Sequence, residues 1–191
     1  MNRYQPRIPT ASALGVHQQD NQQICRKCGT RDKEFGILKI AIISDVHANP
    51  KALQTALDDA RDQGCERIIC LGDIVGYGYD PNTCIDICRN ENMECVLGNH
   101  DAGIIGKLGL GWFSSRAQGG VMRHRKEVDE PRKEWLRSLE YQKQENFGAW
   151  RCYFSHGTYS CPEEFGYIED QRDAVLELET MQRCGCDILL S

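Results

Sequence analysis

With 191 residues, a formal net charge of −5, 40% hydrophobic and 27% charged residues, the chain suits one domain, or a domain with a short appendage. The acidic balance gives no electrostatic basis for a nucleic-acid partner. No stretch approaches the ~18 apolar residues of a membrane span, and Met1–Asp20 lacks the apolar centre of a signal peptide, so no membrane partner and a cytoplasmic location are expected.

Residues 1–37 are polar and aperiodic and read as a disordered extension, followed by a folded domain over 38–191. Within that domain, continuous apolar runs at Lys39–Ile43, Arg67–Leu71, Glu94–Leu97, Trp150–Phe154 and Asp187–Leu190 have the pattern of strands buried on both faces. Between the first two, Asn49-Pro50 opens a helix with Ala52, Leu53, Ala56, Leu57 and Ala60 on one stripe, ending at Gly64. Asp80-Pro81 opens a second helix carrying Cys84, Ile85 and Cys88. A helix around Ser114–Lys126 is expected within a less legible segment, and Glu130-Pro131 starts a short one with Trp135, Leu136 and Leu139. Asp170–Cys184 is the last, with Ala174, Leu178 and Met181 on one face and Gly185 as its stop. Alternating strands and helices predict an α/β fold.

Eleven cysteines are many for a cytoplasmic chain. Cys70, Cys95 and Cys152 lie inside apolar runs and are expected to be small buried hydrophobes, not a disulfide framework. Cys25 and Cys28 have zinc-knuckle spacing, but the chain has no second such pair. Cys184 and Cys186 lie far along the chain, and no metal is expected there.

The residues immediately after each strand carry the chemistry. The first strand leads into Ser44-Asp45-Val46-His47, the second into Gly72-Asp73, the third into Gly98-Asn99-His100-Asp101 and the fourth into Ser155-His156-Gly157. In open α/β sheets ligands bind at the carboxyl ends of strands. Four strands in order therefore deliver Asp, His or Asn to one edge. Any one fragment alone suits turn chemistry; clustered carboxylates and imidazoles without a partner would be costly. The Asp/His/Asn mix suits divalent Mn, Fe or Zn, and a shared carboxylate can bridge two such ions ~3.5–4 Å apart.

This ordered set resembles the calcineurin-like metallophosphoesterases. The context Leu71-Gly72-Asp73-Ile74-Val75-Gly76-Tyr77-Gly78 is similar to the small prokaryotic branch grouped with diadenosine tetraphosphatases and Ser/Thr-phosphatase-like proteins. The resemblance implies a four-layer α/β/β/α sandwich and two divalent metal ions. Asp45 and His47 would hold one ion and Asn99 and His156 the other, with Asp73 bridging. His100 would sit by the substrate phosphate, oriented by Asp101, and a metal-bridging hydroxide would attack in line. The implied substrate is a phosphorylated small molecule, a nucleotide or a phosphoprotein. Arg116, Arg123 and Arg125 lie in a helical insert over Gly103–Glu145 that would shape access; any of them could meet a phosphate, though each is expected at the surface, and His124 on a solvated helix face. Relatives also carry a Gly-His-x-His element after the strand matching Asp187–Leu190, whereas this sequence ends at Ser191. The resemblance therefore implies a C-terminally truncated form with one ligand fewer on each ion. Its alternative function is a catalytically impaired metal- or nucleotide-binding remnant. Relatives usually begin just before the first strand, so the resemblance leads one to expect residues 1–37 to be an added tail or a mis-assigned start.

Overall fold

Two three-stranded sheets organise residues 38–191, the part of the chain that this computed structural model describes. The expectations for residues 1–37, Cys25 and Cys28 lie outside the described residues. In the first sheet, β1 (Ile40–Ile43), β2 (Arg67–Cys70) and β3 (Glu94–Cys95) run parallel in that order, with Ile43 paired to Cys70 and Cys70 to Cys95. The crossovers are α1 (Pro50–Asp62) and α2 (Pro81–Asn90). Each starts as its sequence dictates: Asn49 caps the N–H of Ala52 at 3.1 Å and Asp80 that of Thr83 at 3.0 Å, with proline at the first helical position.

The second sheet is a hairpin of β4 (Gln142–Phe147) and β5 (Trp150–Ser155), with β6 (Ile188–Leu190) parallel to β5. Strand alternation assigns the layers. Cys70 joins Leu53, Leu57, Cys84, Ile85, Cys88 and Cys95 under the helices. Its neighbours Ile69 and Leu71 turn the other way and, with Val96, meet Cys152 and Phe154 of β5. On the outer face of the second sheet, Tyr153 packs with Cys186 and with Met181 of α6 (Gln171–Cys184). Helices, sheet, sheet and helix therefore stack as the α/β/β/α sandwich that was expected. Arg67 ties the sheets together at one edge, reaching Glu94 on β3 and Glu145 on β4.

The chain between the sheets holds α3 (Asn99–Ile105), α4 (Ser115–Glu127) and α5 (Glu130–Arg137). Two elements were not anticipated. Strand β4 is the polar run QKQENF, in which Lys143, Glu145 and Phe147 are half-buried and the others exposed, so no apolar signal marks it. Helix α3 begins inside the Gly-Asn-His-Asp run, where no helix was expected. Several burial expectations reverse: Ile42 on β1, expected to be covered on both faces, is 40% exposed, and Ala52 on α1 faces outward. In α6, Leu178 is exposed and Glu177 buried; in α4, His124 is completely buried rather than solvated. Cys70, Cys95 and Cys152 are buried and unpaired, as anticipated.

Candidate metal centre

The carboxyl ends of β1, β2, β3 and β5 converge, and each leads into a turn that holds its polar residue in place. Asp45, His47 and Asp73 all adopt positive φ, at 55°, 48° and 54°. Left-handed backbone of this kind costs roughly 1 kcal/mol or more per non-glycine residue and persists only where the surroundings enforce it. Here they do: the N–H of Asp45 donates to Gly72 O at 3.2 Å, that of His47 to Asp73 O at 2.9 Å and that of Gly78 to His47 O at 3.0 Å. The turns after β2 and β3 touch so closely that a Cβ on Gly98 would lie 2.2 Å from both the backbone nitrogen and Oδ1 of Asp73.

Asp73 is at the centre, 2% exposed. Its Oδ1 accepts the His100 N–H at 2.9 Å. Its Oδ2 faces two imidazoles, His156 Nε2 at 3.4 Å and His47 Nε2 at 3.8 Å. Asp45 Oδ1 lies 3.3 Å from His47 Nε2, and Asn99 Oδ1 lies 3.1 Å from His156 Nε2. Ligand atoms of Asp45, Asp73 and His156 fall within 4.8 Å of one another, as do those of His47, Asp73 and His100.

The tautomers are set by the other ring nitrogens. His47 Nδ1 is 3.2 Å from Val75 O and His156 Nδ1 is 2.7 Å from Leu71 O. A carbonyl only accepts, so each Nδ1 carries the hydrogen and each neutral ring turns an Nε2 lone pair toward a carboxylate oxygen. Two lone pairs facing each other need a proton or a cation between them. Without an ion the proton serves: burial opposes charge on His156, but the Asp73 carboxylate and the Leu71 carbonyl outweigh it and raise its pKa to about 9. His47 is likewise raised, with Asp45 and Asp73 overcoming burial. Asp45 is lowered to about 2, chiefly by His47. Backbone carbonyls that fix ligand imidazoles, opposite shared carboxylates, fit divalent metal ions.

His100 differs from the other two. It is buried between the rings of His47, Tyr77 and Phe113, at centroid distances of 4.9, 4.7 and 5.1 Å. Its Nδ1 is buried without a hydrogen-bond partner among the described residues. Burial, above all, lowers its pKa, and cations beside it would push the same way. Asp101, fully buried, spends its carboxylate on the backbone: Oδ1 accepts from Val75 N at 3.1 Å, and Oδ2 from Gly98 N at 3.1 Å and Ile74 N at 3.3 Å. It staples the turns after β2 and β3 and makes no hydrogen bond to the His100 ring. Burial first, then the charge of Asp73, push its carboxyl up to about 7, against those backbone donors.

All seven sequence-predicted residues thus meet at one edge. Several supporting residues carried no legible signal. Tyr77 sets its ring 4.8 Å from that of His47, and His124 accepts the Gly76 N–H at 3.0 Å. Glu177 reaches from α6 to accept Tyr159 N at 3.1 Å, Ser160 N at 3.2 Å and the Ser160 hydroxyl, bracing the segment after His156. Buried polar residues on helices far along the chain are invisible to motif spacing. Glycine did give a signal: the turns after β2 and β3 hold Gly72 and Gly98 where no Cβ fits.

Comparison with known proteins agrees with this geometry. A sequence profile described as the calcineurin-like phosphoesterase superfamily domain matches residues 38–187. The chain is 38% identical over 129 residues to the uncharacterized protein MJ0912 of Methanocaldococcus jannaschii, covering 68% of this chain and 53% of that protein. It is similar to a metallophosphoesterase crystal structure from Sphaerobacter thermophilus, at 35% identity and a TM-score of 0.59, covering 74% of this chain and 56% of that one. The hypothetical protein PH1004 of Pyrococcus horikoshii OT3 shares the fold, at 19% identity and a TM-score of 0.63 over 80% of this chain and 68% of that one. The chain thus spans about half the length of MJ0912 and of the Sphaerobacter protein. Among the described residues, no helix is long and apolar enough to cross a membrane.

Proposed function

Since this chain belongs to the calcineurin-like phosphoesterase superfamily, we infer that it hydrolyses phosphate esters at a site built to hold two divalent metal ions about Asp73. The observation that carries this reading is the pair His47 and His156. Backbone carbonyls fix both rings so that their Nε2 atoms face the same Asp73 Oδ2.

On this reading, Asp45 and His47 would hold one ion and Asn99 and His156 the other, with the Asp73 carboxylate shared between the two sites. A pair of cations there would acidify a shared water and offset the charge on phosphate oxygens. The chain's own groups do the rest. Three buried or half-buried imidazoles with fixed orientations surround the place where phosphate would sit, so little rearrangement is needed for reaction. His100 lies with its ring among those of His47, Tyr77 and Phe113 beside the carboxylates, where it would stabilise charge on the phosphate or protonate the departing oxygen; its lowered pKa favours the neutral ring, which donates a hydrogen bond through its one N–H. Asp101 acts on His100 at one remove, by fixing Gly98 and Val75. Substrates on this reading are phosphorylated small molecules, nucleotides or phosphoproteins, and residues 38–191 form the phosphoesterase domain.

The test is Mn²⁺-dependent hydrolysis of p-nitrophenyl phosphate and of its bis ester by purified 1–191, with Asp73→Ala as control. Metal-dependent turnover that vanishes in the control is expected. Saturable Mn²⁺ binding with no turnover on either ester would overturn the hydrolase reading for this chain and favour a metal-binding protein.

A further inference from the structure

Helix α4 of the insert supplies three arginines, and the structure uses them differently. Arg123 reaches the carbonyl of Gly78, and that of Tyr77 at 3.5 Å. Arg125 donates Nε to Gly103 O at 2.8 Å and a terminal nitrogen to Leu108 O at 3.4 Å. Both are thereby engaged with backbone carbonyls. Arg116, exposed on the first turn of α4, makes no hydrogen bond or ion pair among the described residues. It stands instead over the ring of Tyr77, with its guanidinium carbon 6.0 Å from the centroid. That ring is itself packed on His47 and His100 at 4.8 and 4.7 Å, while 42% of Tyr77 remains exposed.

An uncommitted guanidinium therefore sits one aromatic ring away from two site histidines, on the rim of a centre whose fixed charges are carboxylates. A cation–π contact at an exposed site is worth only about 0.5–1 kcal/mol, so it positions the guanidinium without saturating its donors. All five N–H groups remain available, in the fork that matches phosphate oxygens. With the guanidinium carbon 6.0 Å from the Tyr77 centroid and the two imidazoles 4.8 and 4.7 Å from it, Arg116 stands beside the centre rather than among its ligands, where a further phosphate of the same molecule would come.

We propose that Arg116 is a specificity-determining residue that binds a second phosphate of the substrate, so that bisphosphorylated compounds are preferred to monophosphates. The inference rests on the phosphoesterase reading for the place of the first phosphate. A charge-assisted, forked contact of this type corresponds to roughly 10–100-fold in affinity. Arg116 contributes nothing to the core, so its replacement leaves the fold intact, which circular dichroism verifies.

The test is calorimetric titration of the full chain, in saturating Mn²⁺, with adenosine 3′,5′-bisphosphate and with adenosine 5′-monophosphate. Both carry the same base, so any stacking on Tyr77 cancels in the ratio. The wild type is expected to prefer the bisphosphate at least about 10-fold. Arg116→Ala should bring that ratio to within about 2-fold of unity, and Arg116→Lys should keep part of it, as a point charge without the fork. A wild type without preference, a ratio unchanged in Arg116→Ala, or no binding of either nucleotide overturns the inference. Turnover of p-nitrophenyl phosphate, measured in parallel, reports separately on the phosphoesterase reading: turnover without the preference sinks only the role of Arg116, and the preference without turnover sinks only hydrolysis.

Discussion

His124 Nδ1 accepts the backbone N–H of Gly76 at 3.0 Å, and its Nε2 faces the carbonyl of Gly78 at 3.3 Å, so one buried imidazole in α4 pins the turn just after Asp73. Burial above all, and then Arg123, depress its pKa and keep it in the neutral form that this pairing needs. The same turn carries Val75, whose carbonyl orients His47.

His124→Ala should leave two backbone groups unpaired and open a cavity, a loss of about 2–4 kcal/mol. For a chain of this size that is a fall of roughly 5–15 °C in Tm, readable by thermal unfolding. Mn²⁺ affinity should fall as well, because the carbonyl that fixes His47 is no longer held. Unchanged metal affinity in the folded variant would mean that the turn holds its shape without His124.

The contrast between His124 and Asp73 explains which residues were legible in the sequence. Ligand residues come directly after strands that are short and apolar, so their chain positions show the edge, even though β1 is only partly covered and leaves Ile42 exposed. His124 lies in Met122-Arg123-His124-Arg125, where the flanking cations suggest solvent, yet it continues the buried stripe of Ala117 and Val121 on the face of α4 that meets the 76–78 turn. Glu177 is the same case in α6. Strand β4 was hidden for a different reason. Its pairing to β5 is backbone-driven along six residues, and its side chains need bury only one thin face.

Gly98→Ala should be among the most damaging single-methyl changes in the molecule. The glycine has ordinary backbone angles, with φ of −90°, so the requirement is space rather than conformation. Its added Cβ would meet Asp73 N and Oδ1 at 2.2 Å, and neither that backbone nor a side chain holding the His100 N–H can give way cheaply. Overpacking of this type costs about 1–3 kcal/mol or more. The variant is expected to lose saturable Mn²⁺ binding by calorimetry even where it remains folded. Retention of wild-type affinity would show that the two turns are far less rigid than their contacts imply.

Arg67 predicts a pH-dependent contribution at the opposite edge of the sandwich. Its guanidinium lies 2.6 Å from Glu145 Oε2 and also contacts Glu94 and, at 5.6 Å, the ring of Phe147. The hydrogen bonds from Arg67 lower the pKa of Glu145 below its ordinary 4.5. A depressed carboxyl pKa means that the unfolded state binds more protons through the acid range, so this stability is present above about pH 4.5 and is lost as pH falls through the folded value. The groups are half-exposed, which limits the effect to about 1 kcal/mol. Arg67→Met should therefore be less stable than wild type to urea at pH 7, with the gap narrowing toward pH 3. A gap that does not change with pH would assign the loss to packing over Phe147 instead.

His100 separates two readings of the centre. Its ligand-competent nitrogen lies within 4.8 Å of those of His47 and Asp73, which a metal ligand would require. Yet its Nδ1 is unpartnered, its ring is held by aromatic packing rather than by a backbone carbonyl, and its pKa moves opposite to those of His47 and His156. Those features match a group that addresses the substrate. His100→Ala should accordingly keep Mn²⁺ affinity within a few-fold while turnover of p-nitrophenyl phosphate drops by about 10²–10⁴. Leaving groups of low pKa need no protonation, so the drop should be smaller for the nitrophenyl ester than for an alkyl phosphate if His100 protonates the departing oxygen. An equal drop on both would make it a phosphate-binding group, and loss of Mn²⁺ affinity would make it a ligand.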